Sequence, residues 1–360
     1  MVEPTAQDQG DGELAESGDF GYLVEPSTAA GRQLVPFLEA GGRGFVLPEG
    51  FTLDERTYPA GTLFLPQGRN EELNARVEEA GLVDHAIPVH SGRTEEGPDL
   101  GTGRGLPVDL PSVALLAGDG TTPTSAGVHW FFLERYLDVP FDMLNVGDVA
   151  GLELEGYDVI VVPSGGGGLR SELGDGGEEA LEAWIRDGGM LVAVDGAARQ
   201  LAEPLAGVEI RQELEPEEEP DREERLDDAL QPREVRDQEV WEQRVPGTVM
   251  EVALDPDHPL SFGAGAAGDP ERSFVLSQGN AFEPAEGVEA PAYFPGDGTQ
   301  EVAGVISDEN LDRMERSAWA VHASVGSGDV VLFAEEPLFR MFWYGGFRPY
   351  MNAVLFPSTF

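Results

Sequence analysis

The stretch Val159-Ile160-Val161-Val162-Pro163-Ser164-Gly165-Gly166-Gly167-Gly168 decides how this chain is read. Four consecutive β-branched apolar residues present no polar face, so the strand they predict is buried on both sides. A proline and four glycines then stop it. Met190-Leu191-Val192-Ala193-Val194, about thirty residues on, has the same character and ends at Asp195-Gly196, with a helix predicted between them over 178–187. Upstream, Val113-Ala114-Leu115-Leu116 runs into Ala117-Gly118-Asp119-Gly120, followed by a helix over 125–137 and a strand over 141–145. Short apolar strands alternating with helices predict an α/β fold whose parallel sheet carries helices on both faces.

Outward from this centre, residues 19–108 read as a smaller α/β domain. Strands are expected at 22–25, 44–47, 62–65 and 85–89, and helices at 27–40, capped by Ser27, and 70–80. Residues 1–18 are polar, acidic and aperiodic, and are expected to be a disordered lead-in. Ser91 to Pro107, with five Gly and two Pro, reads as a linker to the larger domain, 109–360. Within that domain the alternation stops after Leu201. An acidic insertion spans about 203–245, its stretch Glu213 to Glu239 holding 13 acidic residues and four Arg. Strand-like pieces return at 248–254, 273–276, 290–294 and 302–306. A hairpin is expected over 318–324 and 329–333, and an aromatic, helical close over 339–356.

Charge narrows the function classes. The chain of 360 residues carries 68 acidic against 22 basic residues, net −46, and every basic residue is Arg. Such a surface repels nucleic acid and anionic lipid. Two causes fit: adaptation to molar salt, which the even spread of acidity and the loss of Lys favour, or a face for a cationic partner. No run approaches the roughly 18 apolar residues that a membrane helix needs. No export signal is expected at this N-terminus; a signal would lie upstream of Met1.

Reactive groups are sparse. With no Cys there is no disulfide, thiolate zinc site or cysteine nucleophile. The histidines, at 85, 90, 129, 258 and 322, show neither a Glu three residues on nor a second His at helical spacing, so no metal site and no cofactor is expected in this chain. Ser164 has Gly on one side only, unlike a serine elbow. The glycine run after it, with Gly165 and Gly166 at its head, suits a tight turn or close backbone approach to an anion. It lacks the Gly-Lys-Ser/Thr ending of a phosphate loop.

Val159 to Gly166 resembles the oxyanion-loop strand of class I glutamine amidotransferase-like domains, and Gly189 to Ala198 resembles the strand and elbow that hold that family's nucleophilic Cys. Val331-Leu332-Phe333-Ala334-Glu335-Glu336 resembles the strand that bears its His-Pro-Glu. On this alignment Ala197 stands for the Cys and Ala334 for the His. The resemblance implies a flavodoxin-like sheet with a degenerate catalytic site. Three longer-range stretches extend the likeness from about Gly21 to Phe356. They are Pro59 to Pro66 with Asp99-Leu100-Gly101; Val113 to Gly120 with Ser125-Ala126-Gly127-Val128-His129-Trp130; and Pro337-Leu338-Phe339-Arg340 with Asn352-Ala353. Together they resemble the amidotransferase-like region that follows the catalytic domain in certain bacterial zinc carboxypeptidases.

That resemblance implies a non-catalytic accessory region whose partner is a catalytic peptidase domain in the same parent chain. Zinc is expected only in that upstream domain, and a periplasmic or extracellular location only if the parent is exported. In an open parallel sheet, ligands sit beyond the carboxyl ends of the strands, where strand order reverses. This gathers Asp119, Ser125, Ser164, Gly165, Gly166, Arg199, Glu336 and Arg340 around one expected crevice. An alternative is a small-molecule or carbohydrate binding domain using Trp130, Trp343 and Tyr344 as stacking faces. A hydrolase built on paired carboxylates such as Glu335-Glu336 is the enzymatic alternative.

Overall fold

The computed structural model describes residues 12–211, 230, 232, 244–266, 268–296 and 301–360. In the N-terminal unit, strands β1 (Gly21–Val24), β2 (Gly44–Leu47), β5 (Thr62–Pro66), β6 (Ala86–Val89) and β7 (Leu106–Val108) form an antiparallel sheet in the order β6-β1-β5-β2-β7. Helices α1 (Thr28–Glu39) and α2 (Leu73–Glu79) accompany it, and Ser27 caps α1 by accepting the Ala30 N–H. A hairpin, β3 (Phe51–Leu53) with β4 (Arg56–Tyr58), lies apart from that sheet.

Two expectations here need correction. The segment read as a linker ends in β7, which pairs with β2, so it belongs to the sheet. The lead-in is partly ordered: Leu14 N–H donates to Glu78 Oε1, the Tyr22 hydroxyl donates to Glu16 O, and Asn74 Nδ2 donates to Ser17 Oγ. Residues 1–11 lie outside the described residues.

The larger unit is built on β8 (Val113–Ala117), β9 (Phe141–Asn145), β10 (Val159–Val162), β11 (Met190–Val194) and β17 (Gly328–Phe333), all parallel, in the order β9-β8-β10-β11-β17. Numbered within this core, the order is 2-1-3-4-5, the flavodoxin-like arrangement, with its switch point between β8 and β10. The four residues of β10 are fully buried, as their unbroken apolar run requires. The sheet is mixed rather than wholly parallel. Antiparallel to β17 runs β16 (Ala318–Val325), followed outward by β14 (Glu289–Tyr293), β12 (Thr248–Leu254) and β13 (Arg272–Ser277), with β15 (Glu301–Ala303) also on β12. The strand-like pieces after Thr248 thus extend the parallel core, since the two-residue link Gly326-Ser327 turns the chain back on itself.

Helices α3 (Pro123–Phe131), α4 (Leu169–Arg186), α5 (Asp195–Leu201), α6 (Asp308–Met314) and α7 (Phe347–Leu355) complete the unit. α4 starts straight after the glycine run, nine residues before the expected helix, and bends at Gly174, where φ is +60°. Most of the acidic insertion, including all but two residues of Glu213 to Glu239, falls outside the described residues.

The two units share one core instead of being hinged on a linker. Every residue of α7 is buried. Its Arg348 donates from Nη1 to Ser27 O of the first unit and from Nε to Phe262 O of the second, while Gly31 of α1 leaves no room for a Cβ against Met351 Sδ. Around this seam Phe132, Phe347 and Tyr350 are fully buried and meet edge to face. Such burial contributes on the order of 2–3 kcal/mol for each large apolar side chain. Among the described residues, no helix is long and apolar enough to cross a membrane.

Candidate functional site

The carboxyl ends of β8, β10, β11 and β17 bring together side chains far apart in sequence. α3 follows β8 and supplies Ser125 and His129; the turn after β10 supplies Ser164; the start of α5 supplies Asp195 and Arg199; the segment after β17 supplies Glu335 and Glu336. The Ser125 hydroxyl donates to Glu336 Oε2 at 2.7 Å and accepts the Ser164 N–H at 2.9 Å. Ser164 in turn donates its hydroxyl to Asp195 Oδ2 at 2.7 Å and accepts the Gly196 N–H at 3.3 Å. Arg199 Nη1 donates to Asp195 Oδ1 at 2.7 Å.

At the other end, the Tyr350 hydroxyl lies 2.6 Å from His129 Nδ1. Burial, aided by the Glu336 charge, pushes the Tyr350 pKa well up, so the phenol keeps its hydrogen. The other ring nitrogen, His129 Nε2, lies 3.2 Å from Glu336 Oε1. Burial disfavours the Glu336 carboxylate, but His129, Ser125 and the Leu338 N–H outweigh it and hold the pKa below its ordinary value. One continuous polar chain therefore runs Tyr350–His129–Glu336–Ser125–Ser164–Asp195–Arg199.

The strained residue of the strand-to-helix turn is Asp195, with φ of +45° directly after β11. This corrects the alignment that put Ala197 at the elbow. Ala197 lies inside α5, fully buried, because the turn begins two residues earlier than its run of small residues suggests. Gly196 is obligatory at this turn, since a Cβ there would fall 2.1 Å from Gly165 O. Gly165 is confined likewise, 2.3 Å from Gly120 O, so its lack of a side chain serves backbone packing across the switch point. The Gly166 carbonyl accepts from Gln200 Nε2.

Ala334 is fully buried in the core, its N–H donating to Trp319 O. Glu335 beside it is almost wholly buried, its Oε1 accepting from the Gln278 N–H at 2.7 Å, the Asn280 N–H at 2.9 Å and the Ser277 hydroxyl at 3.2 Å. Asn280 Nδ2 donates to the other oxygen at 3.1 Å. Burial pushes the Glu335 pKa up to about 7 against the pull of these donors, and the charge of Asp195 adds to the rise.

Of the residues expected at the crevice, Ser125, Ser164, Arg199 and Glu336 are joined by hydrogen bonds, and Gly165 and Gly166 frame them. Asp119 is exposed at the end of β8 and takes no part in the chain of bonds. Arg340 is exposed, its guanidinium 5.3 Å from the Phe339 ring centroid, and does not join the network. The aromatic residues do not gather there either: Trp130 lines a separate cavity of about 410 Å³ beside Phe141 and Met143, and Trp343 Nε1 donates to Phe274 O. Sequence reasoning missed Asp195 and His129 as members of this site, and named Glu335 only in the paired-carboxylate alternative. For Asp195 the usable signal was its place as the first residue after an apolar strand and before Gly. The histidines are not all isolated: His258 and His322 face each other at 3.0 Å, 64 residues apart in sequence.

Chemically, every carboxylate oxygen of Asp195, Glu335 and Glu336 already meets a donor, and among the described residues no imidazole bonds to Ser164 or Asp195. The fold and site define an α/β protein of flavodoxin-like strand order with an aspartate at the elbow. No family model matches the chain, and no curated protein matches it. Solved structures similar to it include PurLQS from Thermotoga maritima (12% identity, 68% of this chain and 97% of that one, TM-score 0.42). A protein described as ThuA-like, from Bacteroides uniformis, shares 12% identity over 67% of this chain and 89% of that one, with a TM-score of 0.40. A glutamine amidotransferase from Thermotoga maritima shares 10% identity over 69% of this chain and 96% of that one, with a TM-score of 0.39. The likeness concerns fold, and the fold assignment itself rests on the strand order.

Proposed function

We propose that this chain is a non-catalytic accessory region, of amidotransferase-like ancestry, that works beside a zinc-dependent peptidase domain of the same parent protein in a high-salt setting. The observation that carries the first part is the elbow. Acyl transfer needs a nucleophile poised beside a base. Here the elbow holds a carboxylate whose two oxygens are taken by Ser164 and Arg199, and the neighbouring Glu336 is taken by Ser125 and His129. A network in which each member satisfies the next stabilises a fixed shape and offers a binding rim, with no free group to attack a substrate.

The link to a peptidase is supported by the stretches that resemble the accessory regions of zinc carboxypeptidases. Each supplies a framework residue: Thr62 to Pro66 form β5, Ser125 and His129 join the polar chain, and Asn352 Nδ2 donates to the carbonyls of Pro259, Leu260 and Phe262. Reading the native frame upstream of Met1 tests the link. An open frame encoding a His, a Glu three residues later and a distant His is expected; a stop codon immediately upstream with no such domain would remove the peptidase partner from the proposal.

A further inference from the structure

Glu289, the first residue of β14, stands opposite His322 on β16 in the sheet register, and His258 caps the turn Pro259–Ser261 alongside them. His258 Nε2 is 3.0 Å from His322 Nδ1 and 3.1 Å from Glu289 Oε2; His322 Nδ1 is 3.1 Å from the same oxygen. The His258 and His322 side chains are 5% and 7% exposed, whereas the Glu289 side chain is 65% exposed. Asp329 Oδ1 lies 2.8 Å from His322 Nε2, and the Phe360 ring meets both imidazoles edge on.

Three donor atoms in a near-equilateral triangle cannot all be joined by hydrogen bonds. The His322 Nε2 hydrogen is committed to Asp329, which leaves a lone pair on Nδ1 facing the carboxylate lone pairs of Glu289. A single hydrogen on His258 Nε2 can serve one of those two acceptors and leaves the other contact repulsive. Protonating His322 Nδ1 merely moves the conflict to the contact between two N–H groups. A cation seated just out of the plane of the three atoms would meet all of them together at ordinary ligand distances of about 2.0–2.2 Å. Two imidazoles and one carboxylate form a ligand set that suits zinc-class metals over calcium or magnesium, and Asp329 orients His322 as an outer carboxylate does at such sites.

We propose that His258, His322 and Glu289 form a three-ligand site for a divalent transition metal of the zinc class, with the fourth position open toward solvent on the Glu289 side. Asp329 is the second residue of β17 whereas Glu335 follows its end, so the metal stands at the opposite end of the sheet from the elbow network and ties β14, β16 and the Pro259–Ser261 turn together. Binding moves the His258 hydrogen from Nε2 to Nδ1. Nδ1 now accepts the Leu260 N–H at 3.0 Å, so that amide must turn away when metal binds.

The test is calorimetric titration of the untagged, chelator-stripped full chain with zinc chloride in molar KCl, which screens diffuse binding to surface carboxylates. Cobalt is used in parallel for its visible absorption. One saturable equivalent is expected. It should be lost in His322→Ala and His258→Ala, kept in His85→Ala, and weakened ~10-fold or more in Glu289→Gln, whose exposed side chain leaves folding intact. Absence of a saturable equivalent, or an equivalent that survives unchanged in Glu289→Gln and the histidine variants, overturns the proposal.

Discussion

Raising KCl from a few millimolar to molar concentration is expected to lift the unfolding temperature steeply, by about 10 °C or more, the shift that several kcal/mol of relieved repulsion gives a chain of this size. The cause is the net charge of −46. Compaction brings like charges together, and at ~0.01 M salt their interaction reaches over a Debye length of about 30 Å, close to the size of a domain. At ~1 M the length falls to about 3 Å and the repulsion disappears. The same screening weakens the surface pairs Arg56–Glu25, Arg104–Glu49 and Arg186–Glu182, but exposed pairs contribute less than about 1 kcal/mol each, so the balance favours stabilisation. An unfolding temperature that stays level across the titration would instead point to a cationic partner as the reason for the acidic surface.

Glu335 should make stability fall as pH rises. Its pKa is about 7 in the folded chain against an ordinary 4.5, so below pH 4.5 folded and unfolded chains both hold the proton. Between these values only the folded chain holds it, and unfolding releases it. Stability therefore declines through this window and levels off above pH 7, by about 3 kcal/mol in all at 1.36 kcal/mol per pH unit. Glu335→Gln keeps an oxygen for the Gln278 and Asn280 amides and cannot ionise. Denaturant titrations from pH 5 to 8 should show the variant gaining on the wild type with each step up to about pH 7 and little beyond, and parallel curves would mean that the four donors hold Glu335 ionised throughout.

Much of the fold was legible because burial leaves a mark on sequence. β8, β10 and β11 are apolar on both faces and bounded by Gly or Pro, and α1 has its Ser27 cap. What escaped lacked local signals. The hairpin of β3 and β4 turns on Asp54 and Glu55 at φ of +52° and +62°, a conformation usually announced by Asn-Gly, so no turn was expected. β7 is three residues long and contains Pro, and its place was set by pairing with β2.

The site was half legible for the same reason. Ser125, Ser164, Arg199 and Glu336 follow from where strands end, because the parallel topology sends those ends to one rim. The elbow residue depends on a backbone angle at Asp195, which Asp-Gly after a strand does not distinguish from an ordinary turn. Glu335 among 68 carboxylates looks like surface until the loop Ser277–Asn280 is seen to enclose it. His258 and His322 meet only through the antiparallel extension of the sheet.

A non-catalytic role requires that the elbow network perform no chemistry. Ammonia release from glutamine and release of C-terminal residues from peptides, followed on the full chain in molar KCl with and without added zinc, measure this directly. Rates indistinguishable from protein-free controls are expected under every condition. Turnover that is sustained by the wild type and abolished in Asp195→Asn would show that the aspartate at the elbow is a working nucleophile, and the accessory reading would be lost.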